Sequence, residues 1–133
     1  MPTSLSYIAS SPLAGYLTDL SLDRPALTAT ARLFCPADFP GFAGHFPEQP
    51  VLPAVLQLLA VRLLAESLLE TPLTPVEAER LKFKGMVGPD DAVNIRVSLR
   101  DQAGLLKGDF RLDREGAPIA SGTLHFRRTA GEG

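Results

Sequence analysis

The stretch between Pro53 and Pro72 most constrains the fold of this chain, because it lacks proline and consists almost wholly of strong helix formers, AVLQLLAVRLLAESLLE. Its apolar residues cover nearly the whole circumference of a helix rather than one face. We therefore expect a helix that is buried on most sides and that begins at Pro53, where a first-turn proline belongs. Arg62 and Glu66, four residues apart, are expected to pair on its exposed stripe.

The rest of the chain predicts that a β-sheet surrounds this helix. Alternation of apolar and polar residues indicates strands at 26–34, 79–87, 93–100, 106–112 and 119–128. One strand, one buried helix and four antiparallel strands at hairpin spacing predict an α+β domain, in which a curved antiparallel sheet wraps a single long helix. We expect one domain over residues 1–133, with a loose or short helical lead-in over about 1–23 and a frayed tail over 129–133.

Composition excludes several classes of function. The formal net charge of -2 gives no polyanion-binding signature, so we expect no nucleic-acid partner. The longest apolar run, 51–69, is interrupted by Gln57, Arg62 and Glu66, so we expect no membrane span. A single cysteine and the absence of a signal-peptide pattern favour a cytoplasmic protein. Two histidines far apart and one cysteine make a poor metal site, and without a Gly-rich phosphate loop we expect no metal and no cofactor.

The segment that carries chemistry is the loop before the helix, which contains Gly44-His45-Phe46-Pro47. Histidine titrates near neutral pH, and here it lies in a proline-stiffened turn beside an apolar helix. A base that acts on an apolar substrate needs this arrangement. The alternative for a lone histidine is a packing role within the loop.

Two sequence patches carry a resemblance to a known family. The first is Phe42-Ala43-Gly44-His45-Phe46-Pro47, Pro50-Val51-Leu52-Pro53 and Val55-Leu56-Gln57-Leu58, and the second is Leu81-Lys82-Phe83-Lys84-Gly85-Met86-Val87 with Pro89 and Asp91. Together with the order of elements, these patches resemble the hotdog-fold dehydratases, of the FabZ and FabA 3-hydroxyacyl-(acyl-carrier-protein) type and the ApeI-like type of aryl polyene pathways. The resemblance implies a hotdog fold and action on 3-hydroxyacyl-carrier-protein thioesters in fatty-acid, polyketide or aryl polyene synthesis. It also implies a homodimer or a heterodimer with another hotdog subunit.

The resemblance assigns roles to single residues. His45 takes the position of the base that removes the proton α to the thioester carbonyl. The substrate-binding surface consists of Gly44, Phe46, Pro53, Ala54, Val55 and Leu59. The backbone N–H near Ala54 or Val55 takes the position that polarises the carbonyl, a role suited to a helix N-terminus. The family's general acid lies fourteen residues after the histidine, and that position here is Leu59. Leucine can neither donate nor accept a proton.

Two carboxylates are candidates for a substitute acid. Glu48 lies in the same loop as His45 and is the better candidate. Glu66 lies seven residues beyond Leu59, which is about 10 Å along a helix axis. Three functions therefore stay open: a dehydratase with a substitute acid, an impaired subunit that supports an active partner in a mixed dimer, and a thioesterase. Thioesterases of this fold usually place their carboxylate on the same helix, so Leu59 counts against the third.

Other polar residues have plainer interpretations. His125 lies in the last strand and is expected to be an ordinary strand residue, and Cys35 is expected to pack at a strand end. Arg80, Lys82 and Lys84 are expected to form a solvated face of one strand. The alternative for these three is a docking surface for an acidic carrier protein.

Overall fold

The protein is described by a computed structural model, which covers residues 4–42 and 51–129. The elements are α1 (Ser4–Ala9), β1 (Leu17–Asp23), β2 (Thr28–Phe34), a short 3₁₀ helix (Pro40–Phe42), α2 (Ala54–Leu69), β3 (Leu73–Phe83), β4 (Ala92–Gln102), β5 (Leu105–Arg114) and β6 (Ala117–Arg128). None of the helices in these two ranges is long and apolar enough to cross a membrane.

Helix α2 is the central element, as the sequence predicts. Pro53 is its N-cap, with φ -60° and ψ 146°, and Glu70 ends the helix in a left-handed conformation with φ 54°. The buried positions include the polar residues Gln57, Glu66 and Ser67 as well as the apolar ones. The helix packs against α1 and against strands β1, β2, β3 and β4, so almost every side of it meets protein.

The layer around α2 is one antiparallel sheet of six strands in the order β1-β2-β4-β5-β6-β3. Strands β1 and β3 form its two edges. The predicted α+β architecture, a curved sheet wrapped around one long helix, is therefore confirmed.

The sixth strand is β1, which the sequence does not predict. Residues 17–23 lie in the expected lead-in, yet they pair with β2. The pairing shifts register between Thr18 and Ser21, and Asp19 adopts φ 55° within the shift. Because a bulge adds a residue to one strand, it breaks the period-two alternation by which strands are recognised.

Strand β3 also differs from the prediction, because it starts at Leu73 rather than near residue 79 and ends at Phe83. Pro75 lies inside it, which is tolerated because an edge strand has a row of backbone N–H groups without partners. A register shift between Glu79 and Lys82, with Arg80 at φ 55°, interrupts the alternation. The basic residues of this strand, Arg80 and Lys82, are exposed, in agreement with the predicted solvated face.

Two backbone hydrogen bonds fix residues that lie just beyond the ends of strands. Thr129, which the sequence places in a frayed tail, donates its N–H to the Pro72 carbonyl at 3.0 Å. Asp90, in the turn Pro89-Asp90-Asp91, has φ 64°, in agreement with the tolerance of aspartate for the left-handed region. Its N–H donates to the Cys35 carbonyl at 2.8 Å, which fixes the end of β2 against this turn.

The prediction of an exposed Arg62–Glu66 pair is wrong, because Glu66 is only 7% exposed and its side chain turns inward. Its Oε2 accepts the Leu73 N–H at 2.8 Å and so joins the end of α2 to the start of β3. Burial raises the pKa of this carboxyl, while the Leu73 N–H and the positive charge of Arg62 act in the opposite direction. Glu66 therefore has a structural function.

Substituting Glu66 separates its hydrogen bond from its charge. Glu66→Leu leaves the Leu73 N–H buried without an acceptor and is expected to lower the free energy of unfolding by about 1–3 kcal/mol. Glu66→Gln keeps an acceptor, so its loss of unfolding free energy should be smaller.

The raised pKa of Glu66 means that the native state holds the carboxyl proton more tightly than the unfolded chain does. The stability contributed by protonation is therefore lost as pH rises through the native pKa.

Urea unfolding at several pH values between 4 and 8 measures both effects. The wild type is expected to lose stability relative to Glu66→Gln as pH rises above the ordinary carboxyl value of 4.5. Equal stability of the Leu and Gln variants would contradict the assigned bond to Leu73.

Candidate active site

The start of helix α2 is held in place by two hydrogen bonds to Leu52. The Leu52 N–H donates to the Val87 carbonyl at 2.7 Å, which ties the helix start to the segment that follows β3. The Gln57 side-chain Nε2 donates to the Leu52 carbonyl at 3.3 Å. Leu52 and Val87 are both buried, so the backbone that enters the helix is fixed from the side of the core.

The first residues of α2 face outward. Ala54 is exposed and Val55 is 71% exposed, although the residues after them along the helix are increasingly buried. Pro53 supplies no side-chain cap, and its carbonyl accepts the N–H groups of Leu56 and Gln57 at 3.0 and 3.3 Å. The N-terminus of a helix carries a partial positive charge and donor groups without intrahelical acceptors. This end of α2 is therefore a suitable site for a polarised carbonyl oxygen.

An apolar groove of about 310 Å³ begins at this exposed end. It is lined by Val55, Leu58, Leu59, Arg62, Pro75 and Leu124. The predicted acid position, Leu59, is half-buried and lies in the groove wall. The described part of the groove has no carboxylate in its lining. The arrangement can hold an apolar chain, but it offers no acid from this helix.

Arg62 supplies the only charge in the described lining of this groove, which we name the leucine groove. Its Nε is buried, and no hydrogen-bond partner for it lies in residues 4–42 or 51–129. A buried donor without an acceptor costs free energy. The four-residue spacing of Arg62 and Glu66 suggests only that the two form a surface ion pair. It does not show that the Glu66 side chain turns away from Arg62.

The predicted site residues divide into two groups. Pro53, Ala54, Val55 and Leu59 come together around the start of α2, as described above. Gly44, His45, Phe46 and Glu48 lie outside the described residues, so their placement stays a prediction. The described range resumes at Val51, three residues before the helix.

Two further residues have structural functions. His125 is 6% exposed in β6, and its Nε2 lies 2.9 Å from Glu79 Oε1, a contact that lowers the pKa of the Glu79 carboxyl. Cys35 is buried at the end of β2, and burial raises its thiol pKa to about 11. No group of three or more potential metal ligands occurs within the described ranges.

Comparison with protein families and curated sequences gives a consistent result. The family described as ApeI-like, ApeI dehydratase, matches residues 22–123. The 3-hydroxyacyl-(acyl-carrier-protein) dehydratase FabZ of Ruminiclostridium cellulolyticum is 31% identical over 101 residues, which is 70% of this chain and 71% of that protein. The FabZ of Gluconacetobacter diazotrophicus is 35% identical over 100 residues, or 66% of this chain, but the match spans only 61% of that protein's length.

Solved structures give the same fold. A chain of the dehydratase heterocomplex ApeI:P from Xenorhabdus doucetiae superposes with a TM-score of 0.66 at 27% identity, covering 80% of this chain and 93% of that chain. An uncharacterised protein from Erwinia carotovora superposes with a TM-score of 0.64 at 22% identity and supports the fold alone. The predicted hotdog fold is therefore confirmed.

The environment of Cys35 predicts an unreactive thiol. With its pKa raised from 9.0 to about 11, the folded protein has about a hundredfold less thiolate at pH 8 than an unfolded chain, and the thiolate is the reactive form. Labelling with a small disulfide reagent should therefore be at least a hundredfold slower in buffer than in urea. Equal rates in the two conditions would contradict the buried placement of Cys35.

Proposed function

This chain belongs to the ApeI-like dehydratase family and is a hotdog protein related to FabZ, and we propose that it acts on 3-hydroxyacyl thioesters of an acyl carrier protein in the cytoplasm. The observation that carries the proposal is the exposed start of α2, which opens onto the leucine groove directly after the loop that contains His45. A thioester carbonyl at the helix start places its acyl chain along this groove.

The proposed reaction is the loss of water between C2 and C3 of the acyl chain. His45 removes a proton from C2, and the electron pair of that C–H bond forms the C2–C3 double bond. The C3–O bond breaks, and the oxygen leaves as water after it takes a proton from a general acid. The helix amides near Ala54 and Val55 stabilise the negative charge that develops on the thioester oxygen.

The proton for the departing oxygen has no donor at the expected position, because Leu59 occupies it. Within the described residues, Glu66 is engaged with the Leu73 N–H and does not line the leucine groove. Glu48 remains a candidate from the loop. General acid catalysis contributes about 10²–10⁴-fold to rate, so the source of this proton determines whether the chain is active alone.

A second candidate function is an incomplete subunit that shares its site with another hotdog chain. Edge strand β3 supports this candidate, because within the described residues one of its edges has no neighbouring strand and its residues Val76, Leu81 and Phe83 are exposed. An exposed apolar strand edge favours pairing with another chain. The solved relative from Xenorhabdus doucetiae is itself described as a heterocomplex. In such a pair the acid comes from the partner, and this chain contributes the base.

Incubation with a 3-hydroxyacyl carrier protein tests the assigned base and the acid position. If the acid is missing, the wild type alone forms little enoyl product, and Leu59→Glu raises the rate by about 10²-fold or more. Leu59→Gln is the matched control, because it has a similar size but cannot donate a carboxyl proton. Product formation is measured by mass spectrometry of the carrier protein.

Two outcomes of that experiment would contradict the proposal. Activity that survives His45→Ala would overturn His45 as the base. The dehydratase function would be overturned if neither the wild type nor Leu59→Glu forms enoyl product, even after a hotdog partner is added.

Association through β3 is tested by changing the charge of the strand edge. The double variant Val76→Lys with Ala78→Lys places two positive charges at exposed positions of β3 and is expected to shift the protein from dimer to monomer in analytical ultracentrifugation. Phe34→Lys is the control, since Phe34 is also exposed but lies on β2 at the other side of the sheet. A dimer that withstands the double substitution would contradict the assigned edge.

A further inference from the structure

The outer face of the sheet, on the side away from α2, carries a row of hydrogen-bond donors, and we propose that the middle of this row binds a phosphate group. The row crosses all six strands, because its members are partners in successive strand pairings. In the order of the strands in the sheet it consists of Ser21, Thr30, Arg96, Arg111, Ser121 and Lys82. Every one of these side chains carries a hydroxyl or a positive charge, so we name the set the donor row.

The alternation of the strands places the donor row on the outer face. Ile95, the neighbour of Arg96 in β4, is buried in the core, and so is Leu112, the neighbour of Arg111 in β5. Because successive side chains of a strand point to opposite faces of a sheet, the two arginines point away from the core. Both arginines are exposed. The row is therefore separated from the leucine groove by the sheet, and the inference does not depend on the proposed function.

Three arginines come close together at the middle of the row. Arg96 and Arg111 are directly opposite each other in the pairing of β4 with β5. Residues in this relation have Cβ atoms about 5 Å apart, and two like charges there destabilise a sheet. Arg32 of β2 pairs with Asn94, two residues before Arg96, so it is the diagonal neighbour of Arg96 at about 7–8 Å. Three guanidinium groups can therefore reach one point of the outer face.

The carboxylates next to these arginines are engaged with other side chains. Asp109 accepts from Arg100 Nε at 3.3 Å, and Asp113 accepts from Asn94 Nδ2 at 3.4 Å. Within residues 4–42 and 51–129, none of the three arginines at the middle of the row forms an ion pair with a carboxylate. Arg100, which lies on the same face of β4, does form one. The repulsion between the opposed arginines is therefore not offset by a described side chain.

A groove of about 400 Å³ lies over this part of the outer face. Its lining includes the hydroxyl-bearing Thr30 of the donor row. Its charged lining residues are three arginines and two aspartates, namely Arg32, Arg96, Arg111, Asp19 and Asp113. Three positive charges against two negative ones leave the groove with an excess of positive charge, which attracts an anion.

A phosphate group has the chemistry that this groove requires. A guanidinium presents its N–H donors in a planar fork that matches two oxygens of a phosphate. A phosphate between Arg96 and Arg111 converts their mutual repulsion into two attractions, and its remaining oxygens can accept from Arg32 and from the Thr30 hydroxyl. A carboxylate offers only two oxygens and one negative charge, so it satisfies one fork at a time.

Titration of the full-length ¹⁵N-labelled chain with inorganic phosphate at constant ionic strength tests the site. The arginine Nε–H signals are the site-specific readout. The signals of Arg96 and Arg111 are expected to shift and to saturate with phosphate, whereas chloride at the same ionic strength should leave them unchanged. A non-saturating response, or an equal response to chloride, would overturn the site.

Two variants separate a built site from general attraction by positive charge. The double variant Arg96→Gln with Arg111→Gln is expected to bind phosphate at least about tenfold more weakly than the wild type. Arg100→Gln is the matched control, because it removes a positive charge from the same face of β4 but from an arginine that is paired with Asp109. It should change the affinity by less than about twofold. Equal weakening in Arg100→Gln and in a variant with only Arg96→Gln would overturn the assigned arginines.

A second titration with glycerol 3-phosphate identifies the source of the phosphate group. Binding tighter than that of inorganic phosphate assigns the site to a phosphorylated metabolite, and equal or weaker binding assigns it to the free ion. The wild-type titrations need no substitution, so they decide whether the site exists even if a variant does not fold. Their failure would leave the proposed dehydratase reaction untouched, because that reaction takes place on the other side of the sheet.

Discussion

The burial of helix α2 inside one antiparallel sheet determines which of its groups can meet a substrate. Leucine, valine and alanine side chains on nearly every side make the helix more stable in a protein environment than in water. The sheet and α1 cover these sides, so the accessible part is the N-terminal end around Ala54 and Val55 and the strip along the leucine groove. The bonds that Leu52 makes with Val87 and Gln57 fix this end relative to the sheet.

This arrangement assigns different tasks to different parts of one short segment. The helix start has amide N–H groups without intrahelical acceptors, and the leucine groove presents an apolar surface beside it. Each task depends on packing that is fixed before a ligand binds, which lowers the entropic cost of positioning it. Within the described residues no carboxylate lines the leucine groove, and Leu59 occupies the position where the resemblance predicts one.

The sequence predicts the regular parts of the fold well because their signals are local. Prolines mark the limits of α2, and β4 and β5 show uninterrupted alternation of apolar and polar residues. The edge strands are less predictable, because the bulges at Asp19 in β1 and Arg80 in β3 shift the alternation partway along each strand.

The site is only partly predictable for a different reason. The resemblance identifies the helix start and the Leu59 position from a linear motif. It does not show that Glu66 turns toward Leu73, or that Gln57 donates to the Leu52 carbonyl, because both depend on contacts between residues in different elements or turns. A polar residue within an apolar helix was the available signal for Gln57, but a sequence does not tell whether such a residue faces solvent, the core or a ligand.

The proposed dehydratase reaction needs an acid that Leu59 does not supply, and the second candidate function places that acid on a partner chain, opposite His45. The most direct measurement mixes the wild type with a chain that carries both His45→Ala and Leu59→Glu, and follows enoyl formation after mixed dimers have formed. Each chain alone should be inactive or nearly so, because one lacks the acid and the other lacks the base. Activity that appears only in the mixture is the predicted result. Activity of the doubly substituted chain alone, or an inactive mixture whose mixed dimers are verified by native mass spectrometry, would contradict the account.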